Sequence, residues 1–367
     1  MPKGAEPLPS RLASVRAELA AGGIDALLVT SAANTRYLTG FSGSNSLLVV
    51  SHDRAVLLTD FRYRTQASTE VASVVEVEIE GTSLWTRLWS VLRGLSGAKQ
   101  LAFESTHLLH SDYQRLTDAG ARWSWRPTSG IVEALRQRKD PTELAHIRRS
   151  VAVAESALAQ TLPEIRAGVT ELEVGARLEA ALREHGSKAH PFETIIASGE
   201  RAALPHARCS ARELKSGDLL IVDFGATTAG YCSDITRTFV VGRASDQQRD
   251  AYDIVREANA SASAGVRAGM RGRDADAIAR DYIERQGLGP EFGHSLGHGI
   301  GLEVHEAPRL SKTSDAVLTA GAVVTIEPGI YREGWGGVRI EDDVFLGPDG
   351  PEVLTTFPRG LMELGAA

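Results

Sequence analysis

Two apolar, β-branched runs in the second half of this chain each stop at an acid: Leu219-Leu220-Ile221-Val222 meets Asp223, and Val323-Val324-Thr325-Ile326 meets Glu327. A shorter third, Val338-Arg339-Ile340, meets Glu341. Runs of this composition read as buried strands, so the acids fall where strands leave a core. A fourth acid, Asp234, returns soon after Asp223 through the glycine-bearing turn Gly230-Tyr231-Cys232-Ser233. A strand pair linked in that way brings the two aspartates together, which is costly unless a proton or a cation offsets their repulsion. Either aspartate alone reads equally well as a solvated turn residue. As a set the acids point to a site, and a divalent cation is the simplest remedy for their charge.

The stretch Gly297-His298-Gly299-Ile300-Gly301-Leu302-Glu303-Val304-His305-Glu306 adds two histidines among glycines. Its glycines fall as G-x-G-x-G instead of G-x-G-x-x-G, and no Gly-Lys-Ser/Thr follows, so dinucleotide and P-loop phosphate binding are unsupported. His305-Glu306-Ala307-Pro308-Arg309 lacks the second histidine of H-E-x-x-H, and its proline would disrupt the helix that motif needs. Glycine on both sides of His298 permits a backbone route that lets substrate approach closely. With His298, the acids Asp223, Asp234, Glu327 and Glu341 form an oxygen-rich set. It suits a pair of Mn²⁺, Co²⁺ or Zn²⁺ ions rather than a sulfur-ligated structural zinc. A two-metal hydrolase is the leading reading.

Along the chain, Ser10 is placed to cap a helix with an apolar face of Leu12, Val15 and Leu19, closed by Gly22-Gly23 before a strand over 26–29. Strands are expected over 47–50 and 55–58 around His52-Asp53, and over 75–79 ahead of a helical Trp85/Leu88/Trp89/Leu92 stripe. The first part is therefore a mixed α/β domain, over residues 1–138. In RQRKDPTELAHIRR, charge replaces apolar periodicity, and Asp140-Pro141-Thr142-Glu143 supplies an N-cap, a first-turn proline and a Glu three after the cap. A second, α+β domain is expected over 139–367. It has helices over 141–166, 171–185 and 246–268, strand-rich sequence over 219–241 and more strands after 323. The helix-then-strand order on either side of residue 245 suits two related halves.

Forty basic against 47 acidic residues, a formal charge of −7, leave no cationic excess to neutralise a polyanion, so nucleic acid is not an expected partner. The opening MPKGAEPLPSRLAS lacks the apolar core of a signal peptide and no later run is long enough to span a bilayer; a cytoplasmic protein without a membrane partner is expected. Cys209 and Cys232 form no CxxC pair and are too few for a disulfide framework.

In the order Asp223, Asp234, His298, Glu327, Glu341, the chain resembles the pita-bread metallopeptidases, the group of aminopeptidase P, prolidase and methionine aminopeptidase. Leu204-Pro205-His206, the DFG and SDITRT segments, GHGIGLEVHEAP, EPGIY and GVRIED are similar to the Xaa-Pro branch across residues 141–367. Residues 34–44 and Thr59-Asp60-Phe61-Arg62-Tyr63 are similar to a creatinase-like N-terminal domain. The resemblance implies a pita-bread catalytic domain with pseudo-twofold halves and two divalent ions per subunit, Mn²⁺ favoured. In it, Asp234 and Glu341 bridge the ions, Asp223 serves one, and His298 and Glu327 complete the shell of the other. It also implies a bridging hydroxide as nucleophile, with Glu327 taking the water's proton. His305 would contact the scissile carbonyl, and His206 would support the intermediate or shuttle protons. His294, Tyr331 and Arg339 become candidates for a proline pocket. Tyr331 reads equally well as core, and Arg339 as a partner of Asp342 or Asp343. Arg36, Arg62 and Tyr63 are candidates for substrate contacts from the N-terminal domain.

The implied reaction is cleavage of the Xaa-Pro bond, from dipeptides as in prolidase or from short peptides with proline second as in aminopeptidase P, in a homodimer. One alternative is removal of methionine from nascent chains, disfavoured by the long N-terminal domain. The other is a non-catalytic peptide-binding protein of the same fold, against which the five intact ligand positions weigh.

Overall fold

The computed structural model describes residues 8–365. The signal-peptide reading rests partly on the first seven residues, which lie outside the described ones. The chain divides into two compact units, up to Arg136 and from Gln137.

The first unit is built on a six-stranded sheet in the order Glu76–Glu80, Ala55–Asp60, Ser46–Ser51, Ala26–Val29, Gln100–Glu104, Ser124–Thr128. The three central strands pair antiparallel and the outer ones join in parallel. Ala26–Val29 is buried along its whole length, which is why it reads as an unbroken apolar run. The first helix buries Leu12, Val15 and Leu19 as expected, but it begins at Leu8, so Ser10 lies inside its first turn and does not cap it. The helix Leu84–Arg93 buries Leu88, Val91 and Leu92, and Trp89 stacks on Trp123 with ring centroids 6.1 Å apart.

The second unit opens with helix Pro141–Thr161. The Asp140 side chain accepts from the backbone of Thr142 and Glu143, while Glu143 reaches back to the Asp140 N–H. The helix stops short of residue 166 because Pro163 has no N–H to continue it, and a 3-10 turn, Leu162–Glu164, follows. A second helix, Glu171–Glu184, carries the same box on Thr170 and Glu173. An antiparallel sheet then joins Ile195–Ser198, Leu219–Phe224 and Ile235–Val241.

The pattern repeats. Helices Asp246–Gly265 and Gly272–Arg285 precede a five-stranded sheet in the order Glu306–Leu310, Gly297–Gly299, Val323–Ile326, Asp342–Gly347, Gly350–Val353. The helix expected over 246–268 ends at Gly265, and Gly272–Arg285 was not anticipated.

Strand Leu219–Phe224 shows how the core is organised. Leu219 and Ile221 enter one apolar cluster, shared with the second helix pair, and Leu220, Val222 and Phe224 enter another, shared with the first. Buried on both faces, it reads as a continuous run with no polar alternation. Each such side chain taken from water contributes on the order of 1.5–3 kcal/mol. The strand can therefore end in a carboxylate only at the edge of the packed region. Among the described residues no helix is long and apolar enough to cross a membrane.

Candidate metal centre

The two larger sheets of the second unit deliver their acids to one place. Asp223 is the penultimate residue of its strand and pairs with Thr236, while Asp234 immediately precedes the partner strand. Glu327 follows Val323–Ile326, Glu341 precedes Asp342–Gly347, and His298 is the middle residue of Gly297–Gly299. Ligand-capable atoms of Asp234, His298 and Glu341 lie within 4.8 Å of one another. His298 Nε2 is 3.7 Å from Asp234 Oδ2 and 3.5 Å from Glu327 Oε1.

The glycines around His298 act on the neighbouring strands, not on the substrate side as the sequence suggested. A Cβ at Gly297 would stand 1.9 Å from the Thr325 carbonyl oxygen, and one at Gly299 would stand 2.2 Å from that of Ala307. Only glycine lets the three backbones close around the histidine.

Burial lowers the His298 pKa to about 4, so the ring is neutral. Its Nδ1–H donates to the Gly299 carbonyl (3.1 Å), which turns the Nε2 lone pair toward the acids. The acids show the opposite shift. Burial, and then the charge of Glu341, Asp223 and Glu327, pushes Asp234 well above the ordinary carboxylate range; burial and then Glu327 and Asp223 do the same to Glu341. Burial raises Glu327 to about 8. Asp223 Oδ1, Glu341 Oε1 and Asp343 Oδ1 are buried without a hydrogen-bond donor among the described residues. Crowded carboxylates, orphaned oxygens and a neutral imidazole form a donor set that divalent cations satisfy.

Three of the acids are oriented by neighbouring side chains. Thr236 Oγ1 donates to Glu341 Oε2 (2.6 Å), and Thr325 Oγ1 donates to Glu327 Oε1 (3.2 Å). Arg339, with a side chain 4% exposed, pairs with Asp223 Oδ2. The sequence had offered Asp342 or Asp343 to this arginine. Asp342 is instead taken by Arg237 and Arg359, and Asp343 accepts the Asp234 backbone N–H. Arg339 also donates to Tyr331 Oη (2.8 Å), and the Tyr331 hydroxyl in turn donates to His294 Nε2 (2.9 Å). His294 Nδ1–H is held by the Ser295 carbonyl, and burial lowers its pKa to about 4.

A cavity of about 820 Å³ is lined by these acids and by His206, His294, His298, His305 and Arg339. The exposed His305 ring stands edge-on to His298 with centroids 4.4 Å apart. Its pKa is lowered by burial, then by Arg309 and His206. His206 is exposed on another loop of the same cavity wall. Arg36, Arg62 and Tyr63 belong to the first unit. There Arg62 is paired with Asp60 (2.8 Å), the Tyr63 hydroxyl bonds to Ser44 (2.7 Å), and half-buried Arg36 sits on helix Ala32–Thr39.

Residues that sequence reasoning missed hold the site from behind. Arg237 donates to the carbonyls of Thr236 (2.9 Å) and Glu341 (2.6 Å) and to Asp342 Oδ1 (2.8 Å). The one available signal was an arginine inside an otherwise apolar, β-branched strand, which must find a buried partner.

With this geometry in view, the chain belongs to metallopeptidase family M24, matched over residues 145–348, and carries a creatinase/prolidase N-terminal domain over residues 11–138. It is similar to an Xaa-Pro dipeptidase from Bacillus anthracis of known structure: 41% identity, TM-score 0.94, covering 97% of this chain and 100% of that one. An X-Pro aminopeptidase from Thermotoga maritima MSB8 is 38% identical with TM-score 0.89, over 96% and 99% of the two chains. An Xaa-Pro dipeptidase of Pyrococcus horikoshii is 35% identical over 92% of this chain and 95% of its own length.

Proposed function

We propose that this protein hydrolyses the bond between an N-terminal residue and a following proline, in dipeptides or short peptides, with two divalent metal ions. The observation that carries the reading is the meeting of Asp223, Asp234, His298, Glu327 and Glu341, from two sheets, on the wall of one cavity. The names of its similar proteins support the substrate class.

In this reading Asp223, Asp234, His298, Glu327 and Glu341 would together hold the two ions. Bound there, the ions supply Lewis acidity, which makes water nucleophilic near neutral pH and offsets the negative charge of the tetrahedral intermediate. Arg339 holds one oxygen of Asp223 and leaves the other for a ligand role. Glu327, beside His298 and bonded by Thr325, would take the proton of that water and return it to the leaving amine. His305 presents a neutral imidazole whose N–H donates to the scissile carbonyl, and His206 approaches the same oxygen from its own loop.

An Xaa-Pro bond is a tertiary amide whose nitrogen has no N–H to grip, and its ring needs a shaped pocket. His294 lies on the cavity wall and offers a rigid ring face for it, held by Tyr331, which packs against the core behind it and is itself held by Arg339. Mn²⁺ as the native ion and a homodimer, which the family resemblance implies, and a cytoplasmic location belong to the same reading; metal analysis and sedimentation velocity test the first two.

The direct test is release of the first residue from Ala-Pro and Ala-Pro-Ala after chelation and readdition of Mn²⁺, Co²⁺ or Zn²⁺, with Met-Ala as the competing substrate. Metal-dependent cleavage before proline is expected, and Asp234→Ala or Glu341→Ala should lose both bound metal and turnover. Cleavage of Met-Ala alone, or of nothing with any ion, overturns the proposal.

A further inference from the structure

The second unit contains a buried ion pair that the reaction leaves unexplained. Lys139 Nζ lies 3.0 Å from Glu306 Oε2, with side chains 1% and 6% exposed. Taking two charges out of water costs enough that an apolar pair of similar volume is often as stable. Stability alone is therefore a poor reason for it, and its position suggests another.

Glu306 directly follows His305. Its second oxygen, Oε1, accepts the backbone N–H of Glu303 (3.1 Å). Its carboxylate lies over Gly301, where a Cβ would come within 2.7 Å of Oε2 and 2.8 Å of Oε1. Gly301 in turn donates its N–H to the Glu303 carbonyl (3.0 Å), and its own carbonyl accepts the Cys232 N–H (2.8 Å), two residues before Asp234. The turn from 301 to 306 is thus wound around one carboxylate and tied to the strand that leads to the acids. Its exposed outer side carries His305, beside His298. Lys139 is itself fixed, its backbone N–H donating to the Gly321 carbonyl (2.9 Å) one residue before the Asp140 cap. A lysine anchored through its backbone therefore holds one carboxylate oxygen while the turn holds the other.

We propose that Lys139 is a positioning residue which, by holding the Glu306 carboxylate over Gly301, fixes the 301–306 turn and aims His305 at the scissile carbonyl. The inference rests on the peptidase reading for the role of His305, though not for the placement of its ring.

The test is a double-mutant cycle on Ala-Pro hydrolysis, with metal content measured on each protein. Lys139→Met should lower kcat about 10-fold, with KM within about 2-fold and metal content unchanged. In a His305→Ala background the same change should alter kcat by less than about 2-fold, because the two residues act as one unit. Lys139→Met removes the counter-charge of a buried carboxylate, so Lys139→Met/Glu306→Gln, which buries no net charge, is carried alongside as a folding-competent partner and should show the same pattern. Equal losses in both backgrounds, loss of metal, or an unchanged kcat overturn the proposal. The His305 imidazole resonance in ¹³C-histidine-labelled protein gives a readout that needs no turnover: it should move on Lys139→Met while that of His185 stays put. If the wild type cleaves nothing, the peptidase reading fails, and an unmoved His305 resonance separately overturns the positioning claim.

Discussion

Replacing Arg237 with Met should cost the protein a large part of its stability, and the amount can be worked from its contacts. The guanidinium is 1% exposed and uses all its N–H groups. Nε reaches the Pro358 carbonyl (3.2 Å), Nη1 those of Thr236 (2.9 Å) and Glu341 (2.6 Å), and Nη2 reaches Asp342 Oδ1 (2.8 Å) and the Phe357 carbonyl (2.7 Å). Methionine fills a similar length without donors. Asp342 would keep Arg359 on its other oxygen (2.7 Å), which puts the loss of the buried pair at the low end of about 3–5 kcal/mol. The Thr236 carbonyl keeps the Glu341 N–H, and water can reach the partly exposed 357–358 segment, so Glu341 O is the carbonyl left orphaned. That adds roughly 1–3 kcal/mol. A total near 5 kcal/mol compares with a whole-domain stability of about 5–15 kcal/mol. At about 2–4 °C per kcal/mol for a domain of this size, the melting temperature should fall by roughly 10–20 °C. Differential scanning calorimetry of the metal-free protein measures it, and isothermal titration with Mn²⁺ should show at least about 10-fold weaker binding because Glu341 has lost its backbone anchor. A fall of less than about 3 °C would refute the reasoning.

Three further outcomes are expected. The folded-state pKa of Glu327 is raised from 4.5 to about 8, so between those values the folded protein keeps a proton that the unfolded chain has released. The metal-free protein should then lose stability as pH rises through that window, with Asp234 and Glu341 acting in the same direction. Melting curves with chelator should fall from pH 5 to pH 8, and added Mn²⁺ should raise the midpoint more at pH 8; a flat profile would contradict the shared-charge account. His305→Ala should keep its metal and lose about 10²-fold in kcat, whereas an unchanged kcat returns the residue to the loop surface. Gly297→Ala forces a Cβ to within 1.9 Å of a backbone oxygen and should cost at least about 1–3 kcal/mol while lowering metal uptake. Gly360→Ala, with open space around it, should be silent by the same calorimetry and metal analysis.

The sequence revealed those parts of the fold whose cause is local. Runs buried on both faces announced the strands that end in Asp223 and Glu327, and the Asp140 capping box announced the helix that opens the second unit. Helix Gly272–Arg285 escaped because its buried face mixes the small Gly272, Ala275 and Ala279 with the ion-paired Asp276 and Arg280, leaving Ile283 too isolated to show an apolar stripe. Helix Ala32–Thr39 escaped for another reason. It is short and held by its ends, with Ser31 accepting the Asn34 N–H and Gly40 at φ 84°, in the left-handed region. In the site, the acids at strand ends were visible because strand ends are local, and His298 because two glycines frame it. That Arg339 takes Asp223, 116 residues away, over Asp342 or Asp343 beside it was not legible, because the choice depends on which face each strand turns to the seam. Thr236 and Arg237 take partners more than 100 residues away; the arginine in an apolar strand signals that a buried partner exists, but not which one.

The stitching along Ile235–Val241 bears on how the chain can change length. Three consecutive residues bond to the other half of the unit: Thr236 to Glu341, Arg237 to Glu341 and Asp342, and Thr238 to the Arg339 carbonyl (2.8 Å). Successive residues of a strand face opposite ways, so both faces are committed, and one inserted or deleted residue would exchange every partner at once. Point substitutions can be absorbed one contact at a time, but a frame of even one residue cannot. Relatives that diverge in length should therefore do so in the glycine-containing links at 242–245 and 347–350, leaving the 234–241 and 338–343 segments at constant length even where their residues differ.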